Sequence, residues 1–308
     1  METGELLRII TSLPLISFGL AEEMMSGNFR SVFRGRGIEF DEARHYQAGD
    51  DIRSIDWNAS ARFGYPFVKT YREERELVIL ILLDVSPSMR RGFFSRCEMS
   101  PYEQALISAA SIAFSAEHTN QRVGAFFFDR DVEKVFPPLK GRRHIMALVT
   151  AALQYQNKEM PRRKGSGGSN IAAALKTARQ SLKKRALVVV ISDFFGVNWE
   201  HEMANLRRKH DCIALRIYDP FDFPYRALIT LEDPETGVRI EAPGGLASFR
   251  EEWSSWHTQR SMQWESQCRH TGASYLELCT EADAPSALIK FFAGHGRRHN
   301  SGRRGVWK

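Results

Sequence analysis

The chain has 308 residues, of which 43% are apolar and 26% are charged, and this composition excludes disordered and fibrous proteins. The formal net charge is +6, but residues 295–308 contribute five basic side chains and no acid. Subtracting these five leaves +1 for the rest of the chain, so a basic nucleic-acid-binding domain is not indicated. The tail 294–308 is expected to be disordered.

No segment of the sequence is predicted to cross a membrane. The longest uncharged apolar stretch, residues 9–21, is too short for a transmembrane helix and contains Pro14. Glu2 and Glu5 stand where a secretory signal peptide carries positive charge. No Cys-x-x-Cys pair occurs, which favours reduced thiols over a disulfide framework or a zinc site; the cysteines are Cys97, Cys212, Cys268 and Cys279. Together these features predict a cytoplasmic protein.

The first 76 residues form a unit of their own in the pattern. A helix is predicted from about residue 3 to 25, and the segment from Arg44 to Arg62 is dense in charge and aromatic side chains. Its charged residues could form a docking or catalytic surface: Asp50, Asp51, Arg53, Asp56 and Arg62. The near-equal numbers of arginine and aspartate favour instead an internal ion-pair network that fixes the segment against the next domain, with Trp57 buried.

From residue 77 to 293 strands and helices alternate. Four short, nearly continuous apolar runs are typical of parallel strands covered on both faces: Leu77–Leu83, Val123–Phe128, Ala186–Ile191 and Cys212–Tyr218. Amphipathic helices are predicted at about 101–118, 144–155, 170–184 and 199–209. This alternation predicts an α/β domain with a doubly wound, mostly parallel, Rossmann-like sheet.

An insertion at about 220–271 interrupts the alternation. The runs Ala227–Thr230 and Val238–Glu241 flank a turn at 233–237 and predict a β-hairpin. A helix at about 246–270 carries a stripe of large side chains: Leu246, Phe249, Trp253, Trp256 and Trp264. Core packing is the favoured interpretation of the stripe, and an exposed partner face is the alternative. A strand, Ser274–Leu278, and a closing helix, Pro285–Phe292, complete the domain.

Each of the four apolar runs is followed by an aspartate: Asp84, Asp129, Asp193 and Asp219. In a doubly wound sheet the carboxyl ends of the strands form the ligand-binding edge. An aspartate at this position also commonly caps a helix or forms a turn. A functional site in the sheet is therefore expected to use a subset of the four.

The most informative motif is Asp84-Val85-Ser86-Pro87-Ser88, which places a carboxylate and two hydroxyls on one turn. Ser169, after the glycine-rich residues 165–168, and Asp193 offer further oxygen ligands on later loops. Oxygen ligands favour Mg²⁺, Mn²⁺ or Ca²⁺ over zinc or copper. The alternative for this set is a group of caps and turns, with Ser169 as a helix N-cap.

These residues resemble the metal-ion-dependent adhesion site of von Willebrand factor A domains. A longer ordered set is similar to the bacterial domain-of-unknown-function 58 family, over about residues 25–292: Glu39-Phe40, Arg44-x-Tyr46, Gly49-Asp50-Asp51-x-Arg53-x-Ile55-Asp56-Trp57, Ser60-Ala61-Arg62, Val68-Lys69 and Leu82-Leu83-Asp84-x-Ser86-x-Ser88-Met89. The resemblance implies metal ligands at Asp84, Ser86, Ser88, Ser169 and Asp193. Ser169 stands where the fold usually has threonine and keeps the hydroxyl.

Motifs for enzymatic chemistry are missing from the sequence. A phosphotransferase of the haloacid-dehalogenase type needs a second aspartate where this chain has Ser86. There is no G-x-x-x-x-G-K-[ST] loop, no G-x-S-x-G elbow and no H-E-x-x-H helix. His201, Glu202 and His210 lie in a polar helical stretch and are expected to be solvated.

The family is encoded beside MoxR-type AAA+ ATPases. The resemblance therefore implies a non-enzymatic, metal-dependent interaction module that acts as an adaptor or chaperone-like partner of such an ATPase and a client protein. No specific nucleic acid is expected as a partner. The alternatives are a metal-dependent hydrolase that uses the same oxygen ligands, and a binder of anionic surfaces or nucleic acid through the basic tail.

Overall fold

The structure is a computed structural model, which describes residues 3–26, 38–47, 50–52, 55–73, 77–91, 99–156, 169–220, 226–232 and 238–297. Its helices are Thr3–Ser26 (α1), Trp57–Phe63 (α2), Pro87–Arg91 (α3), Pro101–His118 (α4), Arg142–Gln156 (α5), Ile171–Ser181 (α6), Glu200–Arg207 (α7), Ala247–Thr271 (α8) and Ala284–Arg297 (α9). Its strands are Ile38–His45 (β1), Phe67–Glu73 (β2), Val78–Asp84 (β3), Arg122–Phe128 (β4), Val132–Leu139 (β5), Leu187–Ser192 (β6), Asp211–Tyr218 (β7), Leu228–Glu232 (β8), Arg239–Pro243 (β9) and Ser274–Cys279 (β10). Arg53, Cys97, the glycine-rich residues 165–168, the turn 233–237 and the tail from residue 298 lie outside the described residues. Residues 294–297, which were expected to begin the disordered tail, are instead the last turn of α9.

A six-stranded sheet forms the centre of the described part of the chain, in the order β10-β7-β6-β3-β4-β5. Counted along the chain, its strands follow the doubly wound order 3-2-1-4-5-6. Neighbouring strands are parallel, except that β5 is antiparallel to β4. The predicted mostly parallel α/β fold is confirmed, and the strand order reverses between β3 and β6.

The strands are apolar on both faces because helices cover the sheet on both sides. In β3, Ile79 and Ile81 pack in the core cluster that includes residues of α1, α4, α5 and α9. Leu80 and Leu82 point to the opposite core, which includes residues of α6, α7 and α8. Successive side chains of a strand alternate between its faces, so a strand between two helix layers needs a continuous apolar run. The four predicted core strands are thereby confirmed.

The edge strand β5 was not predicted from the sequence. Its residues alternate between partial burial and exposure, and it contains Pro137 and Pro138. Proline removes a backbone donor and is tolerated at a sheet edge. A strand that is exposed on one side and interrupted by proline carries a weak signal in the sequence.

Helix α1 packs against the domain of the six-stranded sheet, although the sequence pattern groups it with the first 76 residues. Its apolar face buries Leu6, Ile10, Leu13 and Leu20 in the same core as α4 and α9. The helix continues through Pro14, whose carbonyl oxygen lies 2.7 Å from Nε2 of His118. None of the helices in the described part of the chain combines the length and apolar content that a membrane span requires.

The segment from Arg44 to Arg62 runs from β1 through α2, and its structure differs from the prediction at one residue. Arg44 and Asp50 form an ion pair within the segment, with two nitrogen–oxygen distances of 2.8 and 2.6 Å. Asp56 caps α2 by accepting hydrogen bonds from two backbone N–H groups of its first turn. Trp57, however, is 68% exposed, so its predicted burial is wrong. It opens a seven-residue helix that buries none of its side chains.

The predicted hairpin and long helix of the insertion are confirmed as β8–β9 and α8. The stripe on α8 divides between two environments. Trp264 is buried in the main core, and Trp253 packs against the hairpin cluster around Ala242. Trp256 is 48% exposed, and Leu246 is 58% exposed. Core packing therefore accounts for only part of the stripe.

Candidate metal site at the carboxyl edge of the sheet

The turn that follows β3 orders the first group of polar side chains. Asp84 is fully buried, and its Oδ1 accepts a hydrogen bond from the backbone N–H of Ser86 at 2.9 Å. The backbone N–H of Val85 donates to the carbonyl oxygen of Phe128 on the neighbouring strand. The Oγ atoms of Ser86 and Ser88 lie 3.0 Å apart. The carboxylate and both hydroxyls of the Asp-x-Ser-x-Ser motif are thus held on one compact turn.

Strand β6 brings a second aspartate and an unpredicted serine to this turn. Ser192 donates from its Oγ to Oδ2 of Asp84 at 2.6 Å, and the backbone N–H of Phe194 donates to the same Oγ. Asp193, 6% exposed, accepts from the backbone N–H of Phe195 at 3.0 Å. Ser192 was not predicted as a site residue, because its contact with Asp84 depends on the pairing of β3 with β6. The position of its hydroxyl directly before Asp193 was the one feature of the sequence that could have indicated it.

Asp84 and Asp193 are buried close to each other, and neither makes an ion pair with a basic residue that the structure describes. Burial and the negative charge of Asp193 raise the pKa of Asp84 to about 7. Burial also raises the pKa of Asp193, while a hydrogen bond from Ser88 and the charge of Arg260 lower it. Two carboxylates in such surroundings are stabilised by binding a proton or a cation.

Ser169 reaches the same edge of the sheet from the start of α6. It is 5% exposed, and the backbone N–H of Asn170 next to it donates to the carbonyl oxygen of Asp129 at 2.7 Å. The N-cap of α6 is Asn170, whose side chain accepts from the N–H of Ala173. The alternative interpretation of Ser169 as the cap is therefore wrong, and its hydroxyl is not committed to that role.

The loop after β6 passes directly beside Ser169. A Cβ atom added to Gly196 would lie 2.7 Å from the carbonyl oxygen of Ser169, which is closer than real Cβ contacts. This close approach requires a glycine. It brings the loop that carries Asp193 against the backbone of Ser169.

The two other strand-end aspartates have different contacts. Asp129 is 5% exposed, and its backbone groups join the loop of Ser169 to the turn at Asp131. Asp219 accepts a hydrogen bond from Thr280 at 3.2 Å, at the other end of the sheet order. Asp84 and Asp193 are the two that follow β3 and β6, the strands on either side of the switch point.

The chemistry of the donor set fits a hard divalent cation. Within the described residues no three histidine, cysteine, aspartate or glutamate side chains come together as metal ligands. A cation at this edge would be held by two carboxylates and by hydroxyls: Asp84, Asp193, Ser86, Ser88 and Ser169. Oxygen donors of this kind suit Mg²⁺, Mn²⁺ or Ca²⁺, whereas zinc favours nitrogen and sulfur.

The sheet order defines the class of fold as a doubly wound α/β domain, and the polar cluster lies at its topological switch point. The chain belongs to the family described as "Protein of unknown function DUF58", whose model matches residues 42–263. Uncharacterized proteins of Mycobacterium bovis and Mycobacterium tuberculosis are each 28% identical over 277 residues, which cover 89% of this chain and 84% of theirs.

One solved structure similar to this chain is the crystal structure of the SpRpn10 VWA domain. It is 11% identical, with 70% of this chain and 94% of that chain covered, and the TM-score is 0.38. A score this low adds nothing to the argument, so the assignment of the fold depends on the strand order and register given above.

Proposed function

We propose that this chain is a non-enzymatic, metal-dependent protein-interaction module. The observation that carries the proposal is the pair Asp84 and Asp193, buried across the switch point, surrounded by serine hydroxyls and without an ion-pair partner among the described residues. Such a pair is unfavourable in the free protein unless positive charge is bound. The cation would be Mg²⁺ or, alternatively, Mn²⁺ or Ca²⁺.

Each side chain of the cluster has a distinct part in this proposal. Asp84 and Asp193 supply negative charge, and Ser86, Ser88 and Ser169 supply neutral oxygens. A divalent cation held there would supply a positive charge to which a carboxylate of another protein could bind. Ser192 orients the carboxylate of Asp84 by donating a hydrogen bond to Oδ2. The other oxygen, Oδ1, is oriented by the backbone N–H of Ser86.

The partner in the proposal is a MoxR-type AAA+ ATPase, with the chain as an adaptor or chaperone-like factor toward a client protein. The basis is the membership of the chain in its family and the resemblance described for its motifs. We expect the ATPase encoded in the same genome to copurify with this chain in Mg²⁺. Equal copurification in EDTA would contradict a metal-bridged contact.

The direct test is calorimetry and thermal unfolding with Mg²⁺ alone. We expect Mg²⁺ to raise the melting temperature of the wild-type chain. At a concentration 100 times the Kd, the free energy of unfolding should increase by about 2.7 kcal/mol. Asp193→Asn removes the repulsion with Asp84, so it should raise the melting temperature in EDTA and abolish the response to Mg²⁺. Asp131→Asn, at an exposed acid on the same side of the sheet, is the matched control and should respond like wild type.

Two results would contradict the proposal. Undiminished Mg²⁺ affinity in Asp84→Ala, with the fold retained, would place any cation site elsewhere. Mg²⁺-dependent hydrolysis of a phosphate ester by the purified chain, lost in Asp84→Ala, would favour the metal-dependent hydrolase.

A further inference from the structure

A guanidinium group lies beside the candidate metal site and comes from a different element. Arg260 on α8 donates from Nη2 to the carbonyl oxygen of Phe194 at 3.3 Å. Its Cζ atom lies 3.8 Å from the centre of the Phe195 ring. Phe194 and Phe195 directly follow Asp193 in the loop after β6. The insertion helix α8 therefore contributes one charged side chain to the surroundings of the site.

The positive charge of Arg260 is not neutralised by an ion pair with any acid that the structure describes. Asp193 acts on it only from beyond ion-pair distance. The neighbouring Arg216 is paired with Glu277 at 2.7 Å, and on α8 itself Glu265 pairs with Arg269. If Asp193 binds a cation, the negative charge of Asp193 is neutralised and no longer compensates the positive charge of Arg260.

Arg260 is partly buried and lies close to two aromatic rings, which restrict its position. Besides Phe195, the ring of Trp256 lies 5.5 Å from its Cζ atom. Stacking on aromatic faces fixes the plane of a guanidinium. One Nη2 donor of Arg260 is used by the carbonyl oxygen of Phe194, and the remaining N–H groups are those that could bind a carboxylate. An arginine prepared in this way is suited to recognition of an anionic group.

Apolar side chains beside Arg260 and in the loop of Phe195 remain accessible. Trp256 is 48% exposed, and Val197, in the same loop as Phe195, is 79% exposed. Aromatic residues and arginine are the side chains most enriched where protein interfaces gain their affinity. This set, Phe195, Val197, Trp256 and Arg260, is called the α8 patch below.

We propose that the α8 patch is the second anchoring point of the partner-binding face and that it receives an acidic segment of a partner protein carrying an apolar side chain next to its acid. One carboxylate of that segment binds at the cation site, a second binds Arg260, and the apolar side chain packs on Trp256. The proposal rests on the proposed function, because it takes the cation site as the first anchor. The charge of Arg260 and the exposed ring beside it determine the chemistry of the occupant.

The probe is a panel of fluorescein-labelled decapeptides in a Gly/Ser background. Each has two glutamates, separated by one to five positions, with leucine or tryptophan beside one of them. Companion peptides replace both glutamates with glutamine, or the apolar residue with serine. We expect the complete peptides to bind the wild-type chain in Mg²⁺ more tightly than either companion.

The variants Arg260→Gln and Trp256→Ala should each weaken binding of the best peptide, Arg260→Gln by about tenfold. Arg143→Gln removes an equal charge from the exposed surface of α5 and should have no effect. Arg260→Gln should leave the affinity for Mg²⁺ alone equal or higher, because it removes a positive charge near Asp193. A variant that had merely damaged the site would lose affinity for both Mg²⁺ and the peptide.

The outcomes separate this inference from the function on which it rests. Peptide binding that needs Mg²⁺ but is unchanged by Arg260→Gln and Trp256→Ala would overturn the α8 patch and leave the metal-dependent function standing. Binding that persists in EDTA but is lost in Arg260→Gln would keep the patch and contradict the metal-dependent function. Failure of every peptide to bind at concentrations of about 1 mM would overturn the proposal.

Discussion

At the scale of single residues, Ser169 is the clearest test of the candidate site. Its hydroxyl is not used to cap α6, since Asn170 has that role. Ser169→Thr keeps the hydroxyl and restricts its rotamer, so we expect equal or higher Mg²⁺ affinity. Ser169→Ala removes a proposed ligand oxygen and should weaken Mg²⁺ affinity. Isothermal titration with Mg²⁺ measures all three proteins directly.

The control for this series is Asn170→Ala, which removes the cap of α6 but no proposed ligand. It should lower the free energy of unfolding by about 1 kcal/mol and change Mg²⁺ affinity less than Ser169→Ala does. Equal Mg²⁺ affinity in wild type, Ser169→Thr and Ser169→Ala would remove Ser169 from the proposed ligand set.

The burial of His210 predicts that the stability of the protein depends on pH. It is 1% exposed, not solvated as the sequence analysis expected, and neither ring nitrogen has a hydrogen-bond partner among the described residues. Burial, and then the charge of Lys209, lowers the pKa of His210 from 6.5 to about 4. As the pH falls below 6.5, the unfolded chain binds a proton that the folded chain binds only near pH 4. This contribution to stability is therefore complete above pH 6.5 and is lost as the pH falls toward 4.

Between pH 7.5 and pH 5 the wild-type chain should lose about 2 kcal/mol of unfolding free energy through this histidine. Urea unfolding at the two pH values measures the loss, and His210→Gln should show a correspondingly smaller one. His201→Gln, at an exposed histidine, should behave like wild type. A pH response of His210→Gln equal to that of wild type would contradict the assignment.

At the scale of elements, the site depends on how closely two loops approach. Because a Cβ atom at position 196 would lie 2.7 Å from the carbonyl oxygen of Ser169, Gly196→Ala must push the loop after β6 away from the start of α6. We expect weaker Mg²⁺ affinity and a loss of about 1 kcal/mol in stability. Calorimetry and thermal unfolding measure the two effects.

The matched control for Gly196→Ala is Gly245→Ala. A Cβ atom there would meet its nearest neighbour, the carbonyl oxygen of Arg226, at 3.5 Å, which is an ordinary contact. This variant should keep the Mg²⁺ affinity of wild type. An unchanged affinity in Gly196→Ala as well would mean that the spacing of the two loops does not matter for cation binding.

At the scale of the whole molecule, the uneven distribution of charge separates two kinds of binding. Removing residues 298–308 takes away four basic side chains and lowers the net charge from +6 to +2. Retention on heparin at low salt should fall, because it depends on net positive charge. Mg²⁺-dependent binding of the acidic decapeptides should not change, since the proposed face lies at the sheet edge.

The control is a full-length variant in which Arg298, Arg303, Arg304 and Lys308 are replaced by glutamine, so that charge is removed without shortening the chain. It should match the truncated protein on heparin. A loss of Mg²⁺-dependent peptide binding in both variants would favour the basic tail as the binding element and count against the sheet edge.

Local patterns in the sequence were sufficient for much of the fold and for part of the site. A strand covered on both faces must be apolar at every position, so β3, β4, β6 and β7 were recognisable from their composition alone. The turn after β3 was also recognisable, because Asp84, Ser86 and Ser88 lie within five residues and are ordered by their own backbone. The exposed strand β5, with its two prolines, had no comparable pattern.

What only the tertiary structure decided involves residues far apart in the chain. The hydrogen bond from Ser192 to Asp84 spans 108 residues and exists because the strand order places β6 beside β3. The exposure of Trp57 and the stacking of Arg260 on Phe195 likewise depend on how elements pack. The composition and spacing of residues determine which face of a helix or strand is apolar, because that face is set by the order of residues along the chain. Which polar groups then meet is determined by the arrangement of the elements in space.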